Sequence, residues 1–158
     1  MWTKVIGILG GLLLLAACSS APETPPGGPG GAGSGASRFG PGSQQDLAAT
    51  AGDRVFFAYD SSEISGEAQQ ILERQSQWLR RYPNVMVTIE GHCDERGTRE
   101  YNLALGERRA QAVKNVLVAS GIPASRISTI SYGKERPAVV GSSEEAYAQN
   151  RRGVTTVN

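Results

Sequence analysis

Histidine occurs once in this chain of 158 residues, and cysteine only twice. A single histidine leaves no Cys/His spacing resembling a zinc site, so neither a metal nor another cofactor is expected. It also leaves little from which to build the nucleophile–base pairs that hydrolases need. His92 and Cys93 are adjacent, but neighbours on a strand project to opposite faces, which argues against a dyad between them. Long apolar runs are missing too. The longest, from Val5 to Ala17, falls short of the roughly 20 residues of a membrane-spanning helix. Nor does one sign of charge dominate: 16 Lys+Arg face 15 Asp+Glu, a net +1, so bulk electrostatics make no case for nucleic acid. No internal repeat is visible.

What is present begins with "MWTKVIGILGGLLLLAAC": one Lys4, an apolar centre and small residues, the anatomy of a secretory signal. Its end, Leu15-Ala16-Ala17-Cys18, resembles the bacterial lipobox. The resemblance implies that residues 1–17 are a lipoprotein signal peptide and that Cys18 carries the lipid. Several acyl chains together anchor firmly where one is marginal. Ser19 stands where an aspartate would resemble an inner-membrane retention signal, so lipid anchorage in the outer membrane is expected, with the domain facing the periplasm. With Cys18 used, Cys93 has no intramolecular partner. Residues 18–41 are mostly Gly, Pro, Ala and Ser, too poor in apolar surface to offset ordering, and read as a flexible tether. Residues 42–158 then form one domain by length.

Within that domain the pattern predicts a strand over Arg54–Asp60, with Val55, Phe57 and Tyr59 on one face. A helix follows, with Ser65 as N-cap, Glu67 in its first turn and Pro83 as its stop. Ala68, Ile71, Leu72, Gln75, Trp78 and Leu79 recur at helical spacing. "NVMVTIEGH" alternates as a second strand. A helix from about Asn102 to Ser120 ends at Gly121 and Pro123. "RISTISYG" is a third strand, Glu144–Asn150 a short helix, and "GVTTVN" a short closing strand. The order β-α-β-α-β-β predicts an α/β two-layer sandwich with helices packed on one face of a mixed sheet.

In the helix after Asn102, at about 100° per residue, Leu105, Ala112, Val113 and Val116 define the buried arc. Arg109 falls in its middle, in line with Asn102 and the side-chain-free Gly106. Arg108 falls on the solvated flank. An arginine facing a core needs an anion, because an unpaired buried charge costs several kcal/mol. Asp60 and Asp94 stand at the ends of the first two predicted strands, where open α/β sheets commonly place ligands. A guanidinium, one or two carboxylates and an amide suit a zwitterion, with carboxylate on Arg109 and ammonium on Asp94. Weaker binding is then expected below about pH 4, near the reference pKa of aspartate. A salt bridge between Arg109 and Asp94 themselves stands as an even alternative.

The stretch "GHCDERGTREYNLALGERRAQAV" resembles the signature of OmpA C-terminal-like, peptidoglycan-binding domains: G-[HN]-x-D-x-x-G, then N-x-x-L-[SG]-x-x-R-A-x-x-V. Gly91, Asp94, Gly97, Asn102, Leu105, Gly106, Arg109, Ala110 and Val113 fill its fixed positions. "VFFAYDSSEI", "SYGKERP" and "QNRRGV" match further blocks. The resemblance implies non-covalent binding of peptidoglycan through the meso-diaminopimelate of its peptide stem. Asp94 takes the ammonium, Arg109 the carboxylate, Asp60 and Asn102 line the pocket, and one of Arg151 or Arg152 closes it, with Arg152 favoured. It also implies a second partner, the β-propeller protein of the Tol system (TolB), competing for an overlapping site, and a part in envelope integrity and cell division. Cys93 departs from the Thr or Ala frequent before the aspartate, and the polar "TTVN" from a more hydrophobic last strand. Two other readings compete: a structural or adhesion lipoprotein in which Arg109 is only an internal ion pair, and a peptidoglycan hydrolase.

Overall fold

The computed structural model describes residues 39–158; the signal peptide, Cys18 and most of the tether lie outside the described residues. Eight main elements follow one another: α1 (Gln44–Thr50), β1 (Arg54–Phe56), α2 (Gly66–Arg81), β2 (Val87–His92), α3 (Arg99–Ala119), β3 (Ile127–Gly133), α4 (Glu144–Asn150) and β4 (Arg152–Val157). A single turn of 3₁₀ helix, Ala124–Arg126, leads into β3. The strands form one mixed sheet in the order β1-β4-β2-β3. β2 and β3 are parallel, while β4 is antiparallel to both β1 and β2. The two-layer α/β architecture read from the sequence is the one observed.

Each α-helix starts where a hydroxyl accepts from its first turn, removing one of the orphan N–H groups of a helix end. Ser65 accepts from Ala68 N at 3.1 Å, as expected for α2. Thr98 does the same for Tyr101 N at 3.2 Å, so α3 begins at Arg99, earlier than the apolar pattern indicated. Ser43 accepts from Asp46 N and starts α1, which the sequence reading missed. The signal was present: a serine, an acid in the first turn, and Leu47, which is fully buried.

Leu72 and Leu79 of α2 and Val113 and Leu117 of α3 pack against Val55, Val87, Ile89 and Ile127 of the sheet to make the core. Truncating one of these leucines to alanine costs roughly 2–5 kcal/mol. Two polar groups inside the core are paired. Gln75 donates to Gly52 O at 2.8 Å and accepts from Thr155 Oγ1 at 2.8 Å, so the polar "TTVN" segment still builds an interior strand.

The first strand is shorter than expected. β1 stops at Phe56, and the chain reverses at Asp60, whose φ of +52° lies in the left-handed region. Tyr59, expected on one face with Val55 and Phe57, is 62% exposed while those two are buried. The backbone beyond Phe57 leaves the ladder because the carbonyls of Ala58 and Ser61 turn toward Arg109.

Candidate functional site

The site forms at the carboxyl end of β2, and a glycine pair determines how closely α3 approaches it. A Cβ on Gly91 would lie 1.8 Å from Gly106 O, and one on Gly106 would lie 2.3 Å from Ser131 Oγ. Helix and strand are thus in backbone contact, and Arg109, one turn on, reaches the strand end. Its Nη1 donates to His92 O at 2.8 Å, Nε to Ser61 O at 2.8 Å and Nη2 to Ala58 O at 3.1 Å. Arg109 has no exposed surface, and among the described residues it forms no ion pair. The expected inward orientation is present; the alternative salt bridge to Asp94 is absent. Burial lowers its pKa, opposed by the nearby Cys93 and Asp94.

Arg109 forms one wall of a cleft of about 100 Å³ that Asp60, Cys93, Asp94, Arg96 and Asn102 also line. Pockets that enclose a whole drug-sized ligand measure roughly 300–1,000 Å³, so this one admits the tip of a molecule. Asp60 is held by the Tyr101 hydroxyl, which donates to it. Asn102 is buried, and its amide donates to Arg96 O at 2.8 Å, fixing the loop whose turn is made by Gly97 at φ +91°.

Asp94 is buried, and its carboxylate is fully engaged. Oδ1 accepts from Arg96 N at 3.1 Å and Arg96 Nε at 3.2 Å; Oδ2 accepts from Arg96 Nη2 at 2.6 Å and Arg151 Nη1 at 3.4 Å. Burial alone would raise its pKa, but these hydrogen bonds and charges together hold the carboxyl below the usual aspartate value. Asp94 therefore keeps its charge at pH 4, and the acid limit inferred from the reference value moves lower.

The expectation for Arg152 is corrected. Successive strand residues point to opposite faces, and it is Arg151 that turns to Asp94, anchored by Nε on Phe57 O at 3.0 Å and by Glu144 at 2.8 Å. Arg152 points away, donating to Asn150 O and Arg136 O. It shares the far side of the sheet with His92, whose pKa is lowered to about 4 by burial and by the charges of Arg152 and Arg136. The Cys93 thiol lies on the cleft side, its pKa raised by burial. Arg108 is exposed, as expected. The sequence reading missed Arg96, although it stands two residues after Asp94 in a polar loop.

A two-layer α/β domain with a small polar cleft at the end of a parallel strand pair is the class that fold and site define. The chain belongs to the OmpA family, whose model matches residues 56–151. It is 54% identical over 149 residues to a peptidoglycan-associated lipoprotein of Agrobacterium fabrum, covering 92% of this chain and 82% of that one. It is 45% identical to a protein of the same name from Pasteurella multocida, covering 96% and 95%. Among solved structures it resembles the peptidoglycan-associated lipoprotein from Burkholderia pseudomallei: TM-score 0.65, 39% identity, 67% of this chain and 90% of that one.

Proposed function

We propose that this chain is an outer-membrane lipoprotein whose domain binds peptidoglycan non-covalently through the meso-diaminopimelate of the peptide stem. Lipid on Cys18 anchors one end, residues 18–41 supply reach, and residues 42–158 grip the wall reversibly. The observation that carries this is Arg109, a fully buried guanidinium that borders a cleft and, among the described residues, has no carboxylate partner. A guanidinium has five N–H donors, and the carbonyls of Ala58, Ser61 and His92 use three of them. The free end of diaminopimelate brings a carboxylate to Arg109 and an ammonium to Asp94, and it fits so small a cleft. The names of the relatives in Agrobacterium and Pasteurella point the same way.

The role is binding, not catalysis: burial holds the Cys93 thiol protonated and His92 neutral, and neither is poised for proton transfer. The same surface serves the competing Tol β-propeller partner, which ties wall attachment to envelope integrity and cell division. The test is retention on insoluble peptidoglycan. Wild type should sediment with the wall and be released by free meso-diaminopimelate, while Asp94→Ala and Arg109→Lys proteins that still melt cooperatively should stay in solution. Equal retention of all three rejects the cleft as the binding site.

A further inference from the structure

Asp94 has no vacancy for a ligand's ammonium. A carboxylate offers about four acceptor positions, and Arg96 N, Nε and Nη2 with Arg151 Nη1 occupy them. Any cation that reaches Asp94 must displace one of these donors. Arg151 is a poor candidate to leave: its side chain is 8% exposed and pinned by Phe57 O and Glu144. The Arg96 side chain is 33% exposed and lines the cleft directly.

Arg96 is also seated with care. Its guanidinium lies 4.1 Å from the centroid of the Tyr59 ring and 4.2 Å from that of Tyr147, sandwiched between them. Its Nη1 stands 3.6 Å from Glu144 Oε2, a carboxylate exposed toward solvent. The backbone around it is tied down. Lys134 donates to Glu95 O and Gly97 O, and the Glu95 carboxylate accepts from Ser142 and Tyr147. Of Asp94's two arginine partners, Arg96 has the more exposed side chain, and the more exposed Glu144 stands beside it as a second carboxylate.

We infer that Arg96 is a built-in competitor for the cleft: its guanidinium occupies the ammonium position on Asp94 and must swing outward before a zwitterionic ligand binds. The inference rests on the diaminopimelate reading of the same cleft and adds its regulation. A site closed by its own side chain loses apparent affinity in proportion to the fraction of time it is shut. It also discriminates against ligands that bring a carboxylate alone, because these leave the Arg96–Asp94 pair unbroken and gain nothing from Asp94.

The test is calorimetric titration of the full chain in detergent with free meso-diaminopimelate, comparing wild type with Arg96→Ala and Arg96→Lys. Lysine keeps the charge but lacks the planar fork and stacks less well. Removal of the competitor should tighten binding by roughly tenfold in Arg96→Ala, with Arg96→Lys between it and wild type. Should Arg96→Ala fold poorly, the lysine protein reads the same direction. Wild-type binding with variants equal or weaker overturns the competitor role alone and leaves the diaminopimelate reading standing. Absence of binding by every protein overturns both.

Discussion

Two arginines sit at opposite ends of the parallel pair β2 and β3 and use the same donors differently. At the amino ends, Arg126 donates to Val85 O at 2.9 Å, Tyr82 O at 2.8 Å and Leu79 O at 3.1 Å, stapling the end of α2 to the start of β3. At the carboxyl ends, Arg109 staples the Ala58–Ser61 turn to the end of β2 in the same way. Among the described residues neither arginine has a carboxylate partner. Arg126, however, is half-buried and shares its charge with water, whereas Arg109 is fully buried and borders the cleft that Asp94 also lines. Carbonyl capping is thus a structural device at both ends, and burial beside a cleft is what singles out Arg109 as the proposed binding group.

That comparison can be broken most sharply at Arg109. Arg109→Ala removes three hydrogen bonds to backbone carbonyls and empties a fully buried site, and a loss of about 3–5 kcal/mol is expected in urea unfolding. An unchanged midpoint would show that the staple carries no stability. Next in size is the pH response, which separates the cleft from the far side of the sheet. His92 titrates at about 4 in the folded chain against 6.5 for the free side chain. Below pH 6.5 the unfolded chain takes up a proton that the native state refuses. Stability is therefore complete above that pH and falls toward pH 4, by on the order of 3 kcal/mol. Asp94, with its pKa lowered, keeps its contribution through that window and loses it only below. Unfolding free energy followed from pH 7.5 to 4 should show the decline in wild type and a flatter profile in His92→Phe; parallel profiles would assign it elsewhere. Smallest is Arg126→Ala, expected to lose about 1–2 kcal/mol and to keep full retention on peptidoglycan. Loss of retention there would erase the distinction between the two staples.

Much of this was legible because local rules agreed with the fold. The Ser65 cap and the Pro83 stop bounded α2, Glu144–Asn150 was read as the short helix that α4 is, and helical spacing placed Arg109 inward with no knowledge of its surroundings. The misses share a cause. β1 ends early because Arg109, far along the chain, recruits the carbonyls of Ala58 and Ser61. Choosing between Arg151 and Arg152 needed the phase of β4, which a one-residue change reverses. Arg96 looked like any arginine in a polar loop, because its seat is assembled from Tyr59, Glu144 and Tyr147 on other segments. Spacing reveals which way a side chain points; it does not reveal what distant chain arrives to meet it.

The central claim is that Arg109 and Asp94, which do not pair with each other, receive the two charged groups of one zwitterion. Paired calorimetric titrations with meso-diaminopimelate and with the single amino acid D-lysine test it most directly, the second having the same ammonium and carboxylate at one centre but only a single carboxylate overall. When the lysine is blocked at its α-carbon end so that only its side-chain ammonium can enter, saturable one-site binding of meso-diaminopimelate and no heat from the blocked lysine is the predicted result. Equal heats from both would contradict the account, because Asp94 alone would then suffice and the buried guanidinium would be structure and nothing more.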